Sequence, residues 1–455
     1  MKAVLVERLP HRFAAARAAS LVAGSGTGVR VGPTRLADVE SPRLPGRGWH
    51  RITPRLSGIC GSDLHTVDGA SSRYFEELVS FPFVLGHEIV ADVLDGPLAG
   101  RRAVVEPVLG CLARGIDPPC PACAAGNKGA CERLHLGSLA PGLQTGFCRD
   151  TGGGWSEQLV THESQLHAVP DELSDEAAVL VEPTACALHA VLAARVTPGD
   201  TAVVLGAGTL GLLAVAALRR HAAPARLLAV AKHPHQRRLA GELGADTVAG
   251  PDETRRAVRR LTGALGVGTD GDRPARLAGG ADVVLDCVGS ADSLAESLRI
   301  VRAGGRVVLV GMPGKVSVDL APLWQREIRL VGSYAYGTEA TTPSPRTTFD
   351  LAFELVAAAD LGRLVSARYA LDRHEEALRH AAAAGRRGAV KVVFDLRRPD
   401  EAWRRRPLPA GPTGDGTGDG DGDEATDGAG PGAPEAGRAG SPGRRGATVN
   451  DKERA

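Results

Sequence analysis

The segment TAVVLGAGTLGLLAVAALRRHA, residues 201–222, joins an apolar run to a run of helical spacing through three glycines, Gly206, Gly208 and Gly211. An apolar run closed by such a turn reads as a strand buried on both faces. The pattern then repeats. RLLAVA, ADVVLDCVG, RVVLVGMPG and IRLVGSYAY read as strands, with HQRRLAGELGA and ADSLAESLRIV as helices among them. Strands alternating with helices build a parallel sheet covered on both faces, so the expected class here is a doubly wound α/β fold.

The glycines of this turn have separate tasks. Gly206 permits the tight bend, Gly208 lets backbone approach a pyrophosphate, and Gly211 lets helix and strand pack closely. The helix start, Thr209 and Leu210, then offers unpaired N–H groups to phosphate. In a chain with 58 glycines the motif alone means little. The strand before it and the helix after it make it a nicotinamide dinucleotide site. A site for a free ribose 2′-hydroxyl ends the next strand in an acid. No acid stands between Val230 and Arg238; Lys232, His233 and Arg237 do. That favours NADP over NAD, the alternative being a solvated basic loop. Gly289 lets the chain pass near the nicotinamide.

The first 170 residues have a different texture. VRVGPTRL, WHRITPRL, FPFVLGHEIVADV and RRAVVEPVL are short alternating runs broken by Pro and Gly, which is mostly-β. Two pieces here carry metal-binding side chains: GICGSDLH with Cys60, and LGHEIV with His87. Cysteine, histidine and a carboxylate suit tetrahedral zinc, which polarises an alcohol or carbonyl oxygen. Each piece alone reads as easily as core or structural side chains. Downstream, CPACAAGNKGAC puts Cys120, Cys123 and Cys131 within twelve residues, with Cys111 upstream. The N-terminus shows no export signal and no run reaches a membrane-spanning length of ~18 apolar residues. The reading is therefore a cytoplasmic chain, in which clustered cysteines are metal ligands before they are disulfides.

CGSDLH at 60–65, GHE at 86–88, the cysteine lobe at 111–131, VEP at 181–183 and GAGTLG at 206–211, in that order, resemble the zinc-containing medium-chain dehydrogenase/reductase superfamily of alcohol, polyol and threonine dehydrogenase type. The resemblance covers about residues 1–397. It implies a GroES-like catalytic domain over 1–170, a Rossmann nucleotide-binding domain over 171–334, and a return to the catalytic domain over 335–397. It also implies catalytic zinc held by Cys60 and His87, with Glu88 and Glu182 as ligands or holders of the zinc water. Asp63 would orient a ligand, and Ser62 and His65 would pass the substrate proton outward. Taken from composition alone, Glu182 would be a helix-start acid and His65 a surface histidine.

The family's structural zinc lobe has four cysteines separated by two, two and seven residues. Here the last two gaps are kept, and the first cysteine's place falls on Asp117. Either a longer loop brings in Cys111 or Asp117 substitutes as an oxygen ligand. Such a closed site braces a lobe and leaves no position for substrate.

The expected activity is hydride transfer between an alcohol or polyol and NADP or NAD, by a dimer or tetramer. The alternatives are a zinc-independent carbonyl or quinone reductase and a catalytically retired nucleotide-binding regulator. The complete set Cys60, His87 and Glu182 weighs against both. With 54 basic and 53 acidic residues there is no basic footprint for nucleic acid. From about residue 398 the chain reads as a disordered Gly/Asp/Pro-rich tail. Its DGDGDE piece lacks the glycine and glutamate of a calcium loop started at Asp419.

Overall fold

The computed structural model describes residues 1–270, 273–339 and 344–397. The expectations for the tail after residue 397, the discarded calcium loop included, fall outside them.

The six parallel strands of the nucleotide half stand in the order Thr247–Ala249, Arg226–Val230, Thr201–Leu205, Ala281–Asp286, Val301–Leu309, Arg329–Gly332. The chain winds outward one way from Thr201–Leu205 and then returns to wind the other way from Ala281–Asp286. A crevice opens between the C-terminal ends of those two strands, which is where such sheets bind ligands. All five residues of Thr201–Leu205 are buried, as its apolar run requires. An antiparallel hairpin, Leu265–Asp270 with Arg273–Ala278, interrupts the alternation and was not legible in it.

The other half is a seven-stranded sheet. Val365–Tyr369, Lys391–Asp395, Trp49–Gly58, Ile89–Val93, Arg102–Val105 and Leu166–Ala168 follow in order, and Leu159–His162 also pairs with Trp49–Gly58. The last strand of the described chain thus lies against a strand from its beginning, with Val393 opposite Gly58. A three-stranded sheet, with Lys2–Val6 in its middle, packs beside it. One apolar core reaches from Leu56, Val90 and Val104 to Val204, Leu213 and Phe349, so the two halves share a common interior.

The segment Asp175–Ala193 is, among the described residues, the one helical stretch long and apolar enough to cross a membrane. It is 72% buried inside the protein. It packs on the helices Thr209–His221 and Thr348–Ala358, so its apolar character serves the core.

A helix at Pro10–Ala23 was not anticipated by the strand-and-turn reading of the N-terminal region. Proline at its first turn and Gly24 after its end mark its limits. Its sequence is rich in alanine, so intrinsic propensity carries it rather than an apolar stripe.

Asp175 ties the seven-stranded sheet to the start of that core segment. Its carboxylate meets Arg55 at 2.9 Å, Arg102 at 2.9 Å and Arg397 at 3.2 Å. Burial alone would raise its pKa, but the guanidinium groups of Arg102 and Arg55 hold it below the usual carboxylate range. A depressed folded-state pKa lends stability that is present above the unfolded value, near pH 4, and lost as pH falls through the folded one. Asp175→Asn is expected to cost about 3 kcal/mol in denaturant unfolding at pH 7, because three partly buried cations lose one partner. Its deficit should shrink as pH falls below about 4; a pH-independent deficit would contradict this.

Candidate functional site

The strand Trp49–Gly58 delivers the chain to the short helix Gly61–Val67, and Cys60 caps that helix in extended conformation. The cap is held by Asp63, whose Oδ2 accepts the Cys60 backbone N–H at 2.9 Å. The other oxygen of Asp63 lies 3.4 Å from Nδ1 of His87. One fully buried carboxylate thus fixes the backbone of the thiol and the ring of the imidazole. Nε2 of His87 remains the nitrogen available to a metal. Burial pushes the His87 pKa down, but Asp63 and Cys60 hold it well above the ordinary imidazole range.

Ligand atoms of Cys60, His87 and Glu88 all lie within 4.8 Å of one another. Glu182 is not in this group. It is buried at the start of Val181–Ala193, close enough to feel His87, Glu88 and Lys391, and burial pushes it up to about 7. Its Oε1 lies 3.6 Å from Sγ of Cys186, one turn along the helix. Cys186, given no role by its sequence context, packs on this carboxyl.

Lys391 is a residue that the sequence reading missed. Its ammonium is buried against Glu88 and donates to the carbonyl of Ile59 at 3.2 Å. The available signal was one lysine in the apolar run AVKVVFDL. A thiol, an imidazole and a carboxylate whose ligand atoms converge within 4.8 Å in a largely buried space fit zinc.

Ser62 lines a cavity of about 670 Å³ together with Phe147, Met312 and Tyr334. The Phe147 ring lies 5.7 Å from that of His87. The cavity is therefore walled by both halves of the protein. His65 is not in its lining. It is half-buried, and burial together with Arg17 keeps its pKa below the usual value against the pull of Asp68.

The glycine turn has the predicted conformations. Gly206 takes φ of +89°, a region in which a side chain is strained. A Cβ on Gly211 would lie 1.7 Å from the Gly206 carbonyl oxygen, so the helix can approach the strand only with glycine there. Gly208 caps Thr209–His221 and has open space above it, where a phosphate fits the helix amides. Leu210 follows Thr209 in the first turn. Gly289 sits across the crevice with φ of +75°, beside Gly311.

Lys232 and Arg237 are exposed, and His233 caps the following helix. Nε of Arg237 donates to the Ala231 carbonyl at 3.0 Å, so its guanidinium is partly committed. The turn Ala384–Arg387 comes down on His233 and adds Arg386 to the cations there. The two sites meet at Val390 and Lys391. The carbonyl of Val390 accepts from Thr209 Oγ1 at 3.3 Å, and the next residue is the partner of Glu88.

The second sulfur cluster stands apart. Sγ atoms of Cys111, Cys120, Cys123 and Cys131 all lie within 4.8 Å of one another, and Asp117 is outside the group. Backbone N–H groups of Cys120, Cys111, Cys123 and Arg133 point at the four sulfurs from 3.3 to 3.5 Å. Four sulfurs so grouped, each accepting a backbone N–H, suit a closed structural zinc site. Arg114, fully buried, donates to the carbonyls of Leu109 at 3.1 Å and Gly142 at 2.6 Å and so seats the loop behind the lobe. Lys128 reaches from the lobe to Glu106 at 3.0 Å, and His167 binds the same carboxylate at 2.9 Å.

Residues 46–171 match the family model described as alcohol dehydrogenase GroES-like domain, and residues 209–358 match that described as zinc-binding dehydrogenase. An L-idonate 5-dehydrogenase of Vitis vinifera is 28% identical over 78% of this chain and 90% of its own length. A sorbitol dehydrogenase of Arabidopsis thaliana is 27% identical over the same shares. Among solved structures, 2R,3R-butanediol dehydrogenase from Bacillus subtilis superposes with a TM-score of 0.60 at 26% identity, over 80% of this chain and 96% of that one. A Sinorhizobium meliloti protein assigned to the zinc-binding dehydrogenases and bound to NADP superposes with a TM-score of 0.60 at 28% identity, over 80% and 95%.

Proposed function

Because the chain belongs to the zinc-containing medium-chain dehydrogenase/reductase superfamily, we propose that it is an oxidoreductase that moves a hydride between an alcohol or polyol and NADP. The supporting observation is the junction at Val390–Lys391, which joins the helix start of the dinucleotide turn to the Cys60, His87 and Glu88 group.

In this reading Cys60 and His87 hold the zinc, with Glu88 or Glu182 completing the set. A bound zinc would supply a Lewis acid that lowers the pKa of an alcohol, and a bound nicotinamide would supply the hydride acceptor. The protein's own groups do the rest. Asp63 keeps the imidazole oriented. Lys391 balances the charge of Glu88 in a buried space. Ser62, in the cavity wall, receives the hydroxyl proton, and His65, kept neutral by burial, is ready to take it onward. Cys111, Cys120, Cys123 and Cys131 hold a second zinc that braces the lobe. A panel of alcohols assayed with both nucleotides, with and without a zinc chelator, tests this reading. Chelator-insensitive reduction of carbonyls would favour the zinc-independent alternative.

The preference for NADP rests on Lys232 and Arg386 with no nearby acid on that strand end, and NADP is what the Sinorhizobium meliloti relative binds. The double variant Lys232→Ala/Arg386→Ala is expected to lower the NADP-to-NAD ratio of kcat/KM by about tenfold, the worth of one charge-assisted contact. An unchanged ratio removes these two side chains from cofactor choice.

We also propose a homo-oligomer, a dimer or tetramer, working in a reducing compartment such as the cytoplasm. Arg329–Gly332 is an edge strand with all four residues exposed, and Trp324 nearby is 81% exposed. Open edges and large exposed apolar side chains are features that assembly covers. Sedimentation should give a species of two or four chains; a monomer at assay concentration would contradict it.

A further inference from the structure

The cavity lined by Ser62, which reaches His87 through Phe147, has polar members in Ser62, Thr66, Ser71, Ser72 and Gln144, but one wall of it is aromatic. Phenyl rings run outward from the imidazole: His87 to Phe147 at 5.7 Å, Phe147 to Phe83 at 5.4 Å, Phe83 to Phe81 at 5.1 Å, Phe81 to Phe13 at 6.2 Å. All four phenylalanines line the cavity. Hydroxyls of a polyol laid along these rings would lose water and gain no hydrogen bond from them. An apolar or aromatic body would find a matched surface.

Phe13 belongs to the unanticipated helix Pro10–Ala23, and the same helix brings Arg17 to the cavity lining, where Arg8 joins it. Both arginines are exposed. Among the described residues neither makes an ion pair. The cavity's other charges, Arg73 and Glu76, meet each other at 3.2 Å. The lining of the aromatic cavity therefore carries two guanidinium groups with no ion pair among the described residues, and Arg17 also lies near enough to His65 to lower its pKa.

The helix carrying Arg17 is held in place. Asp68, buried after Gly61–Val67, accepts from Ser25 Oγ at 2.6 Å and from the N–H of Gly26 at 2.9 Å, just past the helix end. A Cβ on Gly69 would lie 2.4 Å from the Phe13 carbonyl oxygen, so the helix presses on the turn that follows Ser62 and His65.

We infer that the substrate is an alcohol, or its carbonyl form, with an apolar or aromatic body and an anionic group at its far end, which Arg8 and Arg17 bind. The inference rests on the hydride-transfer reading above. Carboxylate and phosphate share the required chemistry, and guanidinium binds both through paired N–H groups.

The test compares benzyl alcohol, 4-(hydroxymethyl)benzoate, 4-(hydroxymethyl)phenyl phosphate and sorbitol as substrates of the zinc-replete full chain. At least one anionic alcohol should exceed benzyl alcohol in kcat/KM by about tenfold, mainly through KM, and sorbitol should be poorest. The better of the two anions identifies an acid or a phosphate ester. In Arg8→Ala/Arg17→Ala the anionic-to-neutral ratio should fall to about one, and Arg17→Glu should bring it lower still. A wild-type ratio near one, or a ratio that survives in both variants, overturns the inference while leaving hydride transfer intact. Should no alcohol be turned over, the hydride-transfer reading fails instead. Calorimetric binding of 4-methylbenzoate then decides: binding weakened in the double variant retains the arginine site, and equal or absent binding removes it.

Discussion

Cys60→Ala is expected to lower kcat/KM for every alcohol by about 10³-fold or more and to remove one of two zinc ions per chain, leaving melting nearly unchanged. The size follows from the loss of a Lewis acid worth several kcal/mol in the transition state. Selectivity follows from geometry. Cys60 sits at a helix cap whose hydrogen bond to Asp63 uses the backbone N–H, so alanine keeps it. The other sulfur cluster draws on different residues and should retain its ion. His87→Ala should match this loss of activity but cost more stability, since the ring fills space against Phe147 and leaves Asp63 buried without its neighbour. Metal analysis with steady-state kinetics reads both. Full turnover in either variant, or loss of both zinc ions from Cys60→Ala, would contradict the assignment.

Cys111→Ser is expected to do the reverse. It should release the lobe's zinc and destabilise the protein by about 3 kcal/mol or more, because a structural zinc supplies folding energy that a small lobe cannot replace. The lobe's buried cluster holds little besides Cys111, Cys120 and Cys131, with Ile116, Ala122, Cys123 and Leu134 beside them. Activity should fall only as far as the folded fraction falls, as this lobe contributes no wall to the cavity holding Ser62. Asp117→Ala should leave zinc content and melting unchanged. Were Asp117→Ala to release the ion and Cys111→Ser to retain it, the oxygen-ligand alternative would be the right one.

Local chemistry was legible in the residues themselves, whereas distant pairing, such as Cys60 with His87 and the return of the last segment, came only from the family resemblance. Gly206 and Gly211 are tied to one turn by a positive φ and a close approach, both consequences of near neighbours. Three of the lobe's cysteines were legible from their spacing, while Cys111 and Asp117 could be separated only by the path of the loop between them. Lys391 shows the limit. It meets Glu88 because the last strand returns to pair with Trp49–Gly58, and no periodicity in AVKVVFDL names that partner. Pro10–Ala23 was missed for another reason: an alanine-rich helix with few apolar contacts carries little of the pattern by which helices are read. Its consequence, a cationic rim on an aromatic cavity, was hidden with it.

The central claim is that Cys60 and His87 share one ion at the crevice where the nicotinamide ends. Anomalous scattering at the zinc edge, from crystals of the zinc-loaded protein with NADP, tests it most directly. The account predicts two peaks per chain: one among Cys111, Cys120, Cys123 and Cys131, and one between Cys60 and His87. A peak at the four cysteines alone, in protein that turns over alcohol, would contradict it.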